Sequence, residues 1–391
     1  MNSSEYKNEV KVQKLYKIFG EKTPESLKYA QKGLTREEIM KKTGDVVALK
    51  NINLSVKPGE IFCIMGLSGS GKSTLLRCIN RLYEPTSGEI FIKDKKILDY
   101  NKQQLKEIRR ESLGMVFQNF ALFPHRTVLE NVTFGLEIKK LPRKEQTQKG
   151  KEVLKTVGLE GWENKKTGEL SGGMQQRVGF ARALAIDPDL LLMDEPFSAL
   201  DPLIRNELQD QLLKLHQKMK KTIFFVTHDL NEAIKVGDRI TIINSEGEII
   251  QIGTPEQIIL KPRDEYVKKF IKDIDRPSVI RIESIMKPPK TTITLEEAFE
   301  KQDKVNKVQR NNIFVTHHQK LKGVISKKNI KKGEVESSIK QANFVNKLNT
   351  IKDVLPYIMN SNEPVAVIND KGILEGEISR ESISKILAKN I

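Results

Sequence analysis

Residues 60–74 read Glu-Ile-Phe-Cys-Ile-Met-Gly-Leu-Ser-Gly-Ser-Gly-Lys-Ser-Thr, an apolar run that breaks into a glycine-rich turn. The run Ile61 to Met65 is short, β-branched and ends at glycine, which predicts a buried strand. Gly66 to Ser73 fits the phosphate-loop pattern G-x-x-x-x-G-K-[ST]. Glycines at 66, 69 and 71, with Ser68 and Ser70 between them, let successive backbone N–H groups turn inward around phosphate oxygens. Lys72 is placed to reach the β- and γ-phosphates, and the Ser73 hydroxyl to ligate Mg²⁺. Thr74 to Leu82 predicts a helix whose positive end faces the same anions. Strand, loop and helix in this order predict an α/β fold that binds a nucleoside triphosphate.

About a hundred residues later comes Leu170-Ser-Gly-Gly-Met-Gln-Gln-Arg177, ahead of a helix-like stretch from Met174 to Leu184. Ser171 with the amides of Gly172 and Gly173 forms a second helix N-terminus that presents donors to an anion. One nucleotide is not readily held by two complete cradles of one chain. The second cradle is therefore expected to act in trans, two chains sandwiching two ATP molecules head to tail. Leu190-Leu-Leu-Met-Asp-Glu-Pro196 follows. Its four apolar residues predict a central parallel strand, with Asp194 at the C-terminal end where ligands of open α/β sheets gather. Asp194 is expected to hold Mg²⁺ through its water shell, and Glu195 to polarise the attacking water once bulk water is excluded.

Taken together, these motifs resemble the ABC-type ATPases, with Met174 where the commonest signature has glutamine. The resemblance implies a mixed-sheet ATPase core with a helical subdomain, here about residues 119–185. It implies further roles by position: Gln118, after Met115-Val-Phe, as the Q-loop glutamine touching Mg²⁺ and the transport subunit. Ser198-Ala-Leu-Asp201 resembles the D-loop on the dimer seam. His228, at the end of Thr222-Ile-Phe-Phe-Val-Thr227, resembles the switch histidine of the γ-phosphate. Phe19 is the first choice for stacking on adenine and Tyr16 the second, while His125 reads as a loop histidine. The insertion 21–44, with a capping box at Thr35 and Glu38, together with Phe-Pro-His-Arg-Thr and LSGGMQQR, resembles the ATPases of osmoregulatory glycine betaine and proline importers.

At 391 residues the chain exceeds one ordinary core, and the ATPase region is expected to span residues 1–275. No apolar run is long enough to span a bilayer and no signal peptide opens the chain. Cys63 and Cys78 read as small buried residues of a reducing compartment. The expected location is the cytoplasmic face of the plasma membrane, held peripherally by an integral-membrane permease that carries or recruits a solute-binding domain. The net charge of +16 calls for an anionic neighbour, lipid or nucleic acid.

Residues 276–391 contain an internal repeat, about 282–334 and 340–391. Asn312-Ile-Phe-Val-Thr, Lys322-Gly-Val-Ile-Ser326 and Asn329-Ile330 parallel Pro364-Val-Ala-Val-Ile, Glu375-Gly-Glu-Ile-Ser379 and Ser382-Ile383. Each copy predicts strand, turn, strand and helix after a leading helix, Leu295 to Gln302 or Ile351 to Asn360. This resembles a tandem pair of CBS modules, with a cyclic dinucleotide, seen in some relatives, as one ligand the resemblance implies. Ser326 and Ser379 stand where CBS pairs carry threonine, and Asn329 and Ser382 where they carry aspartate, which argues against ordinary ribose recognition. Seven lysines lie between 320 and 340, at 320, 322, 327, 328, 331, 332 and 340. They predict either a solvated face or a salt-sensitive contact with anionic lipid. The favoured function is the ATPase subunit of a compatible-solute importer. The alternatives are an importer ATPase for another solute, or a soluble ABC ATPase working on nucleic acid or ribosomes. The last commonly carries two ATPase units or a long coiled coil, and neither is present here.

Overall fold

The computed structural model describes residues 9–117, 121–198, 200–272, 274–290, 292–300, 310–332, 335–359 and 363–387. Gln118 lies outside the described residues. The chain divides into two compact units between Ile271 and Lys272.

The first unit is built on two sheets. An antiparallel sheet runs in the order β2 (Val46–Val56), β1 (Val10–Phe19), β4 (Ser87–Ile92), β5 (Lys95–Lys96). The second has six strands, ordered β10 (Ile249–Gly253), β9 (Arg239–Ile243), β3 (Ile61–Gly66), β8 (Thr222–Thr227), β7 (Leu190–Asp194), β6 (Leu113–Val116). It is parallel from β9 through β6, with only β10 antiparallel. Every residue of β3, β7 and β8 is buried, as expected of strands covered on both faces that lack polar alternation. Side chains of both sheets meet in one core. Phe62, Ile64 and Phe224 of the parallel sheet pack with Leu49, Ile52 and Ile90 of the antiparallel one. The helix Lys72–Ile79 is locked into this core by Leu75, Leu76 and Ile79, all fully buried. Each such side chain contributes about 1.5–3 kcal/mol of burial, so the phosphate loop is fixed at both ends.

That helix starts at Lys72 and ends at Ile79, earlier at both ends than the predicted Thr74 to Leu82. Gly71 in the left-handed region (φ 103°) is its N-cap, and Arg81 at φ 55° turns the chain away. The signature helix likewise begins two residues early, spanning Gly172–Ala185, because Ser171 caps it. It packs with the helices Val128–Ile138 and Arg143–Thr156 to form the helical subdomain. There the buried Asn131 accepts the Phe123 N–H at 2.8 Å and donates to the carbonyls of Phe123 and Thr127.

The insertion between β1 and β2 holds two helices, Thr23–Gln31 and Arg36–Thr43. The second carries the predicted capping box of Thr35 and Glu38 and ends at Gly44 (φ 78°). The first was not foreseen. It has Pro24 at its start but no side-chain cap. The buried Ser26 hydroxyl donates to Asp45 at 2.7 Å and pins this helix to the start of β2.

The second unit repeats one arrangement twice. β11 (Thr292–Thr294) runs parallel to β12 (Asn312–His317), which pairs antiparallel with β13 (Lys320–Ser326) before the helix Lys327–Lys331. β14 (Phe344–Asn346), β15 (Val365–Ile368), β16 (Leu374–Ile378) and the helix Arg380–Leu387 follow the same pattern. The helices Leu295–Glu300 and Ile351–Met359 lie between the first two strands of each copy. Ser326 and Ser379 cap the helices that follow, accepting the N–H groups of Asn329 and Ser382 at 3.3 Å. The copies are stitched by Arg310 to Glu377 at 2.9 Å, with Glu377 buried. No helix among the described residues is long and apolar enough to cross a membrane.

Candidate nucleotide site

Strand β3 delivers the chain to Gly66 at the C-terminal edge of the parallel sheet, where β7 and β8 also end. A cavity of about 760 Å³ opens there. It is lined by Phe19 and Val46 to Ala48, by Gly66–Gly69 and Gly71–Thr74, and by Arg36, Glu195 and His228. A side chain at Gly66 would run into the Ile243 carbonyl and the Ser70 hydroxyl, and one at Gly71 into the Ala48 carbonyl. Only glycine lets the loop lie so close to the sheet. Ser70 itself lies beneath the loop, 1% exposed, its hydroxyl without a hydrogen-bond partner among the described residues. The first turn of the helix Lys72–Ile79 has no side-chain cap. Its backbone donors are left for an anion in the cavity.

The Lys72 ammonium donates to the carbonyls of Gly66 and Leu67 at 2.9 and 3.0 Å and lies 3.9 Å from Glu195. Burial pushes this ammonium below its usual range, while Glu195 and Asp194 pull it back up. Ser73 donates from its hydroxyl to Asp194 Oδ1 at 2.6 Å. Asp194 is 1% exposed. Burial pushes its carboxyl up, opposed by the Ser73 hydrogen bond and the Arg77 charge. Two hard oxygen donors therefore meet beside the phosphate loop, a set that suits Mg²⁺. Glu195 leaves β7 in the left-handed region (φ 47°), with its N–H on the Val226 carbonyl at 3.0 Å. Its carboxylate turns to the cavity and meets His228 Nδ1 at 3.2 Å.

Phe19, at the end of β1, is 38% exposed on the cavity wall, its ring edge-on to Tyr83. Tyr16, the second choice for adenine stacking, is instead core, packed with Ile18, Ile39 and Val47. Ser171, Gly172, Gly173 and Asp201 stand apart from the cavity walls of their own chain. Ser171 accepts the Met174 N–H at 3.3 Å and Asp201 accepts those of Leu203 and Ile204 at 3.1 Å, each at an exposed helix start. His125 lies in a loop beside Phe123. Cys63 and Cys78 are free and buried. Burial pushes the Cys78 thiol up to about 12. Arg36 was missed by the motif reading: the capping box marks its place on a helix, but nothing local says what its side chain reaches.

A family described as ABC transporter matches residues 49–198. The glycine betaine transport ATP-binding protein OpuAA of Bacillus subtilis is 44% identical, the match covering 100% of this chain and 95% of that protein. The glycine betaine/carnitine transport ATP-binding protein GbuA of Listeria monocytogenes is 43% identical over 98% of each. A solved dimeric ATP-binding cassette in a post-hydrolysis state with ADP and phosphate is 38% identical at a TM-score of 0.54, covering 63% of this chain and 98% of its own. Likeness along both units, over a site whose phosphate loop, acidic strand end and histidine converge on one cavity, places this chain in the ABC transporter family of ATP-hydrolysing subunits.

Proposed function

We propose that this chain is the energy-coupling ATPase of an importer for compatible solutes of the quaternary-amine type, among them glycine betaine, proline betaine, carnitine and choline. The observation that carries this reading is the match to two betaine-type ATP-binding proteins along essentially the whole chain, C-terminal unit included. Two copies work as a head-to-tail dimer on the cytoplasmic side of a permease. Residues 1–275 form the ATPase, and residues 276–391 a regulatory CBS pair.

In the closed dimer, Lys72 and the amides of Gly69 and of Gly71 to Thr74 hold the phosphates and Phe19 stacks on adenine. Ser73 and Asp194, with Gln118, would hold Mg²⁺, which would neutralise charge on the phosphate oxygens. Glu195 accepts a proton from the water whose oxygen attacks the γ-phosphorus, and ADP leaves with the electron pair of the broken bond. His228 steadies Glu195 and faces the γ-phosphate. Ser171 to Gly173 of the second chain close over the site and exclude bulk water.

The test is co-purification with the membrane permease, followed by a solute-driven ATPase assay. Glycine betaine is expected to raise hydrolysis, while a sugar or methionine is not. Stimulation by those solutes instead would reassign the transporter. Stimulation by RNA or ribosomes, with no permease bound, would favour the nucleic-acid reading.

Regulation is read from the lysine cluster. Lys320, Lys322, Lys328, Lys331, Lys332 and Lys340 are exposed and Lys327 is half-buried. A bridge between Val324 and Lys340 brings the last beside β13. Contact with anionic lipid is worth about 1 kcal/mol per nearby lysine and weakens as the screening length shortens. Neutralising Lys327, Lys328, Lys331 and Lys332 is expected to leave transport active at low salt without changing the maximal ATPase rate. The measurement is solute-driven hydrolysis in liposomes of fixed anionic lipid content, titrated with salt. An unchanged activation midpoint would leave the cluster a solvated face.

A further inference from the structure

The insertion between β1 and β2 reaches into the nucleotide site through one side chain. Arg36 is the first residue of the helix Arg36–Thr43, and its guanidinium reaches the phosphate loop at the wall of the cavity. Nη1 donates to the Gly69 carbonyl at 3.0 Å. Nη2 donates to the Ala48 carbonyl on β2 and, at 3.4 Å, to the Ser70 carbonyl. The space for this is made by Gly247 (φ 74°), where a side chain would run into Nη2 and the Ala48 carbonyl.

The approach is held from several sides. The Arg36 N–H donates to Glu246 at 2.8 Å. Lys50, 8% exposed, donates to the Leu34 carbonyl at 3.2 Å and lies 3.1 Å from Glu248. Ile39 and Ala30 of the two insertion helices are buried in one cluster with Tyr16 and Val47. Arginine suits this place because its planar fork presents several donors in fixed directions, whereas lysine offers a single point charge.

We infer that Arg36 is a positioning residue for ATP binding, by which the insertion holds the phosphate loop open in its phosphate-receiving shape. A trans peptide carries its C=O and its next N–H on opposite sides. Fixing the carbonyls of Gly69 and Ser70 on Arg36 therefore fixes the directions of the N–H groups of Ser70 and Gly71. The first closes the turn onto the Leu67 carbonyl at 3.2 Å. The second sits at the N-cap of the phosphate helix. Arg36 also adds a positive charge to the wall of a cavity built to receive anions.

This inference rests on the cavity being the ATP site, and the experiment separates the two. Mg-ATP and ADP affinities of the full chain are measured by titration, with KM and kcat for ATP alongside. Arg36→Ala is expected to weaken both nucleotides about 10-fold or more, the scale of lost charge-assisted hydrogen bonds, with kcat at saturating ATP within about threefold. Arg36→Lys keeps the charge but cannot span three carbonyls, and is expected to recover only part of the affinity. Lys50→Met, which loosens the insertion without touching the loop, is expected to lower the melting temperature while affinity stays near wild type.

Wild-type affinity in Arg36→Ala, or an equal loss in Lys50→Met, would overturn the role of Arg36. If Arg36→Ala does not fold, Arg36→Lys carries the test, and full affinity in that variant overturns the inference. Lys72→Ala tests the site itself: retained ATP affinity there would remove the phosphate-loop reading, whereas its loss with an unaffected Arg36→Ala would remove only the inference.

Discussion

Glu195→Gln keeps ATP bound and slows hydrolysis by about 10²-fold or more, the scale of a lost general base. Glutamine matches glutamate in size and can still hydrogen-bond to His228, which faces the carboxylate at 3.2 Å. The backbone turn is preserved as well, since the Glu195 N–H bond to the Val226 carbonyl does not involve the side chain. In the proposed mechanism, what is lost is the basic oxygen that would take the proton of the attacking water. If closure of the two chains precedes cleavage, as proposed, the variant also accumulates as an ATP-bound dimer. Size-exclusion chromatography with and without ATP checks this, alongside single-turnover phosphate release. Wild-type turnover in the variant would remove Glu195 from the chemistry.

The variant also separates chemistry from binding. Lys72 is drawn down by burial and up by Glu195, so removing the carboxylate takes away a partner that competes with phosphate for its ammonium. ATP affinity is therefore expected to hold or rise as turnover falls. A mutation that merely disordered the loop would lower both.

Much of this site was legible because its parts are local. The span of β8 follows from its apolar run, and the phosphate loop from glycines that the backbone needs. What escaped was set by contacts distant in sequence. In β1 the pairing register with β2 shifts between Val12 and Leu15, around Lys14 at φ 47°, and again between Leu15 and Lys17 and between Lys17 and Ile18. The two-residue alternation that would separate a core ring from a surface ring is thereby lost. Leu15 and Tyr16 are both buried, and Phe19 alone reaches the cavity. β11 and β14 are three residues each, too short to show a period. Arg36 meets Gly69 only because the folded insertion turns back across 33 positions.

Ser171→Arg is expected to abolish turnover while leaving ATP affinity of the single chain nearly intact. Ser171 is exposed at the start of the helix Gly172–Ala185, apart from the cavity that holds Lys72. Its loss as a cap costs about 1 kcal/mol of helix stability, too little to unfold the unit. The added arginine is instead expected to block the surface that, in the proposed dimer, closes over the nucleotide of another chain. The decisive measurement is a mixed dimer of Ser171→Arg with Lys72→Ala. If the sandwich is head to tail, the phosphate loop of the first variant pairs with the intact Ser171 of the second, and one working site survives. If each chain instead served its own nucleotide, neither chain would hold a complete site. Hydrolysis reappearing on mixing two inactive variants is the expected result. Its absence, with a dimer present, would overturn the sharing of sites between chains.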